Sequence, residues 1–311
     1  MKNLSSLFKG NILVCTKQSV NEKKLSNVKK IKTLNECIRE KPDIAIITNK
    51  TNLHVSTAIK LAKTGCHLFI EKPLSHSTKD IQLLLDTVKK QKTISLMGCN
   101  LRFHPCLIKM KNLISAKKIG KILSVHSENG SYLPSWHKNE NYTKSYAASD
   151  KIGGGIVLTS IHELDYLYWL FGDVVEVLSY ADNLSPLKIQ TNDHASIILK
   201  FKNGLVGEVH LDYYQKLNSR TCKIIGTKGI LYLDFIENSL KHYDYKRKKW
   251  VYIMKLKKFD SNSMYVEELS YFLKNISNRK KTFNDVYEGA KILDIGMAIL
   301  KSSKLKKMIK L

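Results

Sequence analysis

The chain has 311 residues, of which 43% are hydrophobic and 25% charged. That composition excludes collagen-like, mucin-like and wholly disordered chains, and the length leaves room for two domains of roughly 150 residues each. No apolar run approaches the ~20 residues of a membrane span and the first residues lack a signal-peptide core, so a cytoplasmic protein is expected. The net charge of +25 invites a nucleic-acid reading. However, the basic residues are 47 lysines and only five arginines, whereas bidentate recognition of phosphates and guanines favours arginine. The lysines are mostly dispersed, so a solvated surface is the simpler reading and no nucleic-acid partner is expected. The six cysteines are scattered without metal spacing, which implies reduced thiols and no metal.

In chain order, Ile12–Cys15 reads as a buried strand and Ile44–Ile47 as another. A helix with Val55, Ala58, Ile59 and Ala62 on one face follows, with Gly65 placed to end it. His67–Ile70 reads as a third strand. A helix is predicted from Ser77, whose spacing to Asp80 fits a capping box, with Ile81, Leu84, Leu85 and Val88 as its buried stripe. Ile94–Met97 is a further strand. Short strands alternating with helices indicate a parallel sheet covered on both faces, and ligands of such sheets bind just past the carboxyl ends of the strands. Attention therefore falls on Thr16-Lys17, on Thr48 to Asn52, on Glu71-Lys72-Pro73 and on Gly98-Cys99-Asn100.

From Lys121 the strands lengthen and alternate, as in an antiparallel sheet with one solvated face. Ala195–Asp212 is a hairpin turning at Asn203-Gly204, Lys223–Asp234 is a second, and His242–Ile253 suggests a third. Helices return from Met264 and end with Val286–Leu300.

The run Ile46–His54, then Gly65-Cys-His-Leu-Phe-Ile-Glu71-Lys72-Pro73-Leu74, resembles the Gfo/Idh/MocA family of NAD(P)-dependent oxidoreductases. The resemblance continues through Asn100–Pro105, Gly153–Gly155, His162–Asp165, the Asn203-Gly204 hairpin and Ile225–Gly229, in order along nearly the whole chain. It implies a Rossmann-like parallel sheet domain over residues 1–102. An α+β substrate-binding domain with a large, mostly antiparallel open sheet would then occupy 103–311. In the family that open face packs on another subunit, which implies a homo-oligomer, a dimer or a tetramer.

One family feature is missing. Gly10 is the only glycine before Gly65, so the chain lacks the strand and G-x-G-x-x-G turn that bring backbone against a cofactor pyrophosphate. The Rossmann domain reads as N-terminally truncated, with Leu4–Phe8 as the tail of the lost helix. Removing the first strand would leave two open edges in mid-sheet. Three explanations stand: a start codon assigned too far downstream or a gene fragment, a pseudoenzyme that folds without cofactor, or a non-standard cofactor site. An in-frame strand-G-x-G-x-x-G segment with its own start upstream of Met1 would support the first; an immediate stop codon would count against a misassigned start, though not against a truncated gene. At the ribose-reading position stands Thr16-Lys17 where an acid would favour NAD. Either Lys17, with Thr16, receives the 2′-phosphate of NADP, or it points to solvent.

The resemblance places Lys72 near the reacting carbon, as a handler of the hydroxyl proton. A lysine beside a cofactor cation and partly desolvated is able to shuttle one. The cofactor cleft would be lined by Thr48, Asn49, Thr51, His54, Glu71, Lys72 and Asn100. His162 is either catalytic and substrate-binding or a satisfied structural histidine. The family often has an Asp three or four positions before it; here Leu158 and Thr159 stand there, and Thr159 offers a hydrogen bond but no base. Asp165 neighbours His162 on the same helix. Arg102 either clamps an anionic group or ties the two domains together. Tyr132 and Trp136 form an aromatic loop on which a sugar ring could stack, or a lid or interface. The expected activity is hydride transfer to or from a secondary alcohol or ketone of a sugar, cyclitol or nucleotide-sugar, with a weak likeness in residues 131–162 to enzymes of surface-polysaccharide sugar pathways. The alternative is an inactive homologue that binds sugar or acts as a scaffold.

Overall fold

The computed structural model describes residues 2–8, 10–16, 27–137 and 139–311. A short helix α1 (Lys2–Leu7) leads into β1 (Ile12–Cys15), β2 (Val28–Ile31) and α2 (Leu34–Arg39). The last two elements were not anticipated. Helix α2 is opened by a reciprocal cap: Thr33 Oγ1 accepts from the Glu36 amide at 3.2 Å, and the Glu36 carboxylate accepts from the Lys32 amide at 3.2 Å. Then come β3 (Ile44–Ile47), α3 (His54–Ala62), β4 (His67–Glu71), α4 (Ile81–Gln91), β5 (Ser95–Gly98) and α5 (Pro105–Ser115). All the strand pairings among β1–β5 are parallel, which follows from the helices that separate the strands.

The parallel strands form two separate sheets, one of β1 and β2 and one in the order β3-β4-β5. Among the described residues β1 and β3 do not pair. The β1-β2 pair is thus separate from β3, β4 and β5 among the described residues.

Helix α4 departs from expectation. It starts at Ile81, not near Ser77, and Asp80 precedes it with φ 59° and no side-chain cap. Ser77 donates its amide to Ser75 Oγ at 3.3 Å instead, so the capping box does not form. The start of the loop 72–80 is tied to α3, where His54 Nδ1 lies 2.9 Å from Pro73 O.

The second half is built on a nine-stranded sheet. Its strands are β6 (Ile122–Tyr132), β7 (Val174–Asp182), β8 (His194–Phe201), β9 (Val206–Asp212), β10 (Tyr214–Gly226), β11 (Gly229–Asp234), β12 (Ser239–Asp244), β13 (Lys249–Lys255) and β14 (Ile309–Lys310). The order is β13-β12-β11-β10-β6-β9-β8-β7-β14, antiparallel except for β6 beside β9. Between β6 and β7 lie a one-turn helix α6 (Ile156–Thr159) and α7 (His162–Phe171), which ends at Gly172. Helices α8 (Asn262–Ser277) and α9 (Val286–Leu305) close the chain. Strand β8 alternates buried and exposed residues along its length, so one face carries the core and the other is open.

The helices do not stay on their own half. Phe272 of α8 packs edge-on against Phe69 of β4, with ring centroids 5.9 Å apart. Residues 282–286, between α8 and α9, run along β5: the Met97 amide donates to Asn284 O at 2.7 Å, and the Val286 amide donates to Ser95 Oγ at 3.2 Å. The C-terminal segment therefore completes the first domain's packing, and the two halves share one hydrophobic core.

Candidate active site

The carboxyl ends of β3, β4 and β5 converge, and the loops that follow them are bonded together. His54, at the start of α3, is buried; its Nε2 lies 3.0 Å from Asn49 O and its Nδ1 2.9 Å from Pro73 O. Burial holds its imidazole below the ordinary value, so at neutral pH one of these nitrogens donates. His54 thus pins the loop after β3 to the Glu-Lys-Pro loop after β4. It acts as a brace between loops; Thr48 and Asn49 remain exposed at the cleft rim, and Asn49 donates to Thr57 Oγ1 at 3.0 Å.

Thr51 is buried under Gly153. Gly153 has φ +92°, and a Cβ there would fall 2.7 Å from the Thr51 side chain. The glycine run is therefore what lets the segment before α6 approach the loop after β3. Asn52 Nδ2 donates to Lys151 O at 3.4 Å across the same seam.

Lys72 crosses to that segment as well. Its Nζ donates to Thr159 O at 2.8 Å, a carbonyl at the end of α6, and this bond carries the ammonium to the start of α7, where His162 stands. Burial above all, and then the charge of Arg220, pull the Lys72 pKa down, against the opposing carboxylates of Glu71 and Glu163. Burial, Lys72 and Arg220, in that order, press His162 well below the ordinary imidazole value. Its Nδ1 is buried without a hydrogen-bond partner. Thr159 Oγ1, also buried, lies near the Tyr213 hydroxyl.

On the other wall, Glu71 faces Gly98 across the β4–β5 pair, where an added Cβ would sit 3.1 Å from its carboxylate. Burial raises the Glu71 pKa against the pull of Lys72. Asn100, buried after β5, lies near the Tyr265 hydroxyl of α8. Trp136 donates Nε1 to Ser131 Oγ at 3.0 Å and stands edge-on to buried Tyr213 at 5.4 Å, so it is braced by the sheet. Tyr132 ends β6, half-buried and opposite Tyr214. Thr16 is half-buried at the end of β1, and Lys17 lies outside the described residues.

Arg102 and Asp165, two of the candidate site residues, turn inward. Arg102 donates Nε and Nη2 to the two carboxylate oxygens of Asp165 at 2.9 and 2.8 Å, with side-chain exposures of 0% and 1%. Neither has a free face for a ligand, because each consumes the other's charge. Arg102 also reaches Phe283 O at 3.3 Å and lies over Trp169 and Phe283. Of the two roles open to it, the tie between halves is the one its contacts serve.

The sequence reading missed Glu163, Arg220, Tyr265 and Glu268. Glu163 is fully buried beside His162 and takes a bidentate bond from Arg220 at 2.7 and 3.2 Å. Glu268 of α8 is buried with Oε1 unpartnered; burial and the charges of Glu71 and Asp165 hold its carboxyl well above the usual range. The scarcity of arginine was a usable signal for Arg220: among so many lysines, a fork-shaped donor in the middle of a long strand marks a buried carboxylate partner.

Residues 13–99 match a family model described as an oxidoreductase family with an NAD-binding Rossmann fold, and residues 107–232 match the GFO/IDH/MocA C-terminal domain. The chain belongs to the Gfo/Idh/MocA oxidoreductase family. It is 26% identical over 287 residues to a myo-inositol 2-dehydrogenase of Thermotoga maritima, an alignment spanning 86% of this chain and 80% of the relative. It is 28% identical over 226 residues to a levoglucosan dehydrogenase of Pseudarthrobacter phenanthrenivorans, spanning 64% and 57% respectively. A solved levoglucosan dehydrogenase in complex with NADH superposes with a TM-score of 0.88 at 18% identity, covering 99% of this chain and 94% of that one. The Rossmann-like parallel domain and large, mostly antiparallel sheet expected from the sequence are therefore the family's architecture. No helix among the described residues is long and apolar enough to cross a membrane, and no His, Cys, Asp and Glu group there is arranged to hold a metal.

Proposed function

We propose that this chain is a nicotinamide-dependent oxidoreductase acting on a secondary alcohol or ketone of a sugar, cyclitol or nucleotide-sugar. The observation that carries the proposal is the Lys72 ammonium held on Thr159 O, next to a histidine with an orphaned ring nitrogen. Inositol and levoglucosan dehydrogenases among the relatives support the substrate class.

The nicotinamide half of such a cofactor fits the cleft. Gly98 leaves open the space that a Cβ would fill beside Glu71, and Asn49, Glu71 and Asn100 offer polar groups at the strand ends. Thr48, Thr51 and His54 shape the loop beneath. For the pyrophosphate, no described residue supplies a glycine-rich turn, so NAD(H) binding by this chain is itself part of the proposal. A preference for NADP rests on Lys17 and Thr16. When bound, the nicotinamide accepts or supplies the hydride. Lys72 and His162, both driven toward their neutral forms, take the hydroxyl proton during oxidation and return it during reduction. Tyr132, Trp136 and Thr159 line the substrate side.

Hydride transfer measured across inositols, anhydrosugars and nucleotide-sugars tests the reading. Lys72→Ala is expected to lower kcat/KM by about 10²-fold or more, and full activity of that variant would remove Lys72 from the mechanism. A second reading, a sugar-binding homologue without turnover, is favoured by Leu158, which is sealed in the core where the resemblance puts an Asp. Sugar binding by calorimetry without binding of NAD or NADP would support it. The open sheet face, with Tyr180 67% and Ile198 45% exposed, is proposed to pack on a second copy of the chain.

A further inference from the structure

We propose that Arg220 is a positioning residue for the Lys72–His162 pair. Its bidentate grip on Glu163 fixes the first turn of α7 against β10, and its guanidinium places a permanent cation beside both proton-handling groups. The purpose rests on the oxidoreductase reading above, but the geometry stands apart from it.

Glu163 immediately follows His162 and has no exposure at all. Its carboxylate takes Arg220 Nε at 2.7 Å and Nη2 at 3.2 Å. Two parallel bonds to one planar carboxylate fix both distance and orientation, which a lysine could not do. The anchor on the other side is equally firm. Arg220 lies in β10 opposite Asn129 of β6, and Asn129 in turn donates to Ser160 Oγ at 3.0 Å, two residues before His162. The guanidinium also sits over the Phe235 ring at 5.7 Å. The turn that presents His162 is therefore held on both sides from the same strand pair. At the same time the Arg220 side chain keeps 21% exposure and the Glu163 side chain none, so the cationic end of the pair is the one that faces outward.

Electrostatically, the groups acting on His162 are Lys72 from the loop after β4 and Arg220 from β10. Those acting on Lys72 are Arg220, which opposes its charge, and Glu71, Cys99 and Glu163, which favour it. Arg220 is the one permanent cation common to both sets. Without it, each group binds a proton more readily.

The test needs no turnover, so its failure is distinguishable from failure of the proposed activity. The histidine ring resonances of the intact protein are titrated by NMR, with His162 assigned by its loss in His162→Gln. Arg220→Met is expected to move the His162 midpoint upward by about one pH unit, while His54, buried between the loops after β3 and β4, stays put. Arg220→Lys, which keeps the charge without the fork, is expected to bring the midpoint most of the way back while leaving the His162 resonance broadened. Because Arg220→Met strands a buried carboxylate, the double variant Arg220→Met/Glu163→Gln supplies a form with no unpaired charge, and its midpoint is expected to lie above wild type too. A His162 midpoint in the double variant equal to wild type overturns the proposal, as does an Arg220→Lys midpoint no nearer wild type than that of the Met variants.

Discussion

Replacing Asp165 with Ala perturbs the most enclosed ion pair of the structure's central seam. The guanidinium of Arg102 would keep one carbonyl, Phe283 O at 3.3 Å, and the faces of Trp169 and Phe283 at 5.6 and 5.8 Å. It would lose two charge-assisted bonds at 2.8 and 2.9 Å in a place with no solvent to replace them. Ring faces return about 0.5–2 kcal/mol to a cation, short of the several kcal/mol that an unpaired buried ion costs. The expected loss is therefore about 3–5 kcal/mol, a large part of the ~5–15 kcal/mol that holds a typical domain folded. Urea titration followed by tryptophan fluorescence reads it as a lower midpoint at similar slope. Removing both charges together, as Arg102→Met/Asp165→Leu, leaves no stranded ion and is expected to restore most of the stability. A loss below ~1 kcal/mol in Asp165→Ala would refute the reasoning. So would a stable double variant that no longer binds sugar, because it would return Arg102 to the cleft.

Glu268→Gln mimics the protonated acid that burial favours. The carboxyl's folded pKa lies above its unfolded one, so its stabilising share is whole below the unfolded value of ~4.3 and is lost as pH rises toward the folded value. The stability gain of the variant over wild type is expected to grow from pH 5 to pH 8 in urea titrations; a gain independent of pH would contradict this. Gly154→Ala puts a Cβ 2.3 Å from Tyr146 O and 2.7 Å from two other backbone oxygens. It should cost roughly 1–3 kcal/mol in thermal melts, and an unchanged Tm would show that the loop has room to yield. Ile198→Asp on the open sheet face is expected to convert an oligomer to a monomer in analytical ultracentrifugation; a monomeric wild type would dismiss the proposed contact.

The parallel strands β1, β3, β4 and β5 and the helix after β3 were legible because short apolar runs and a 3.6-residue stripe are local signals. The hairpin at Asn203-Gly204 was legible for the same reason. Strand β2 was not: Val28-Lys-Lys-Ile carries two lysines in four residues, and only its pairing with β1 makes it a strand. The Ser77–Asp80 spacing was a valid cap pattern, but Ser77 bonds to Ser75 and the helix starts only at Ile81. At the site, Lys72 and His162 were visible from their motifs, and the structure brings them to one seam. Arg102 and Asp165 were visible as residues but not as partners, since 63 positions separate them. Arg220 and Glu163 stand 57 apart, and Glu268 arrives on a helix late in the chain. That helix precedes β14, the last strand of the sheet, and follows all the others. Ion pairs over such distances, as at Arg102 and Arg220, leave no periodic trace.

The C-terminal segment that lies along β5 has a consequence for how the molecule is made. Thr282 Oγ1 donates to Ser95 O, and 187 residues separate them. During synthesis at ~5–20 residues per second, the outer edge of β5 stands uncovered for roughly 10–40 s before its cover emerges. Through that interval an apolar strand with unpaired backbone groups is open to any other strand that meets it. The first domain is thus a nascent species whose last piece is translated at the far end of the message, and its quality depends on the chain being finished.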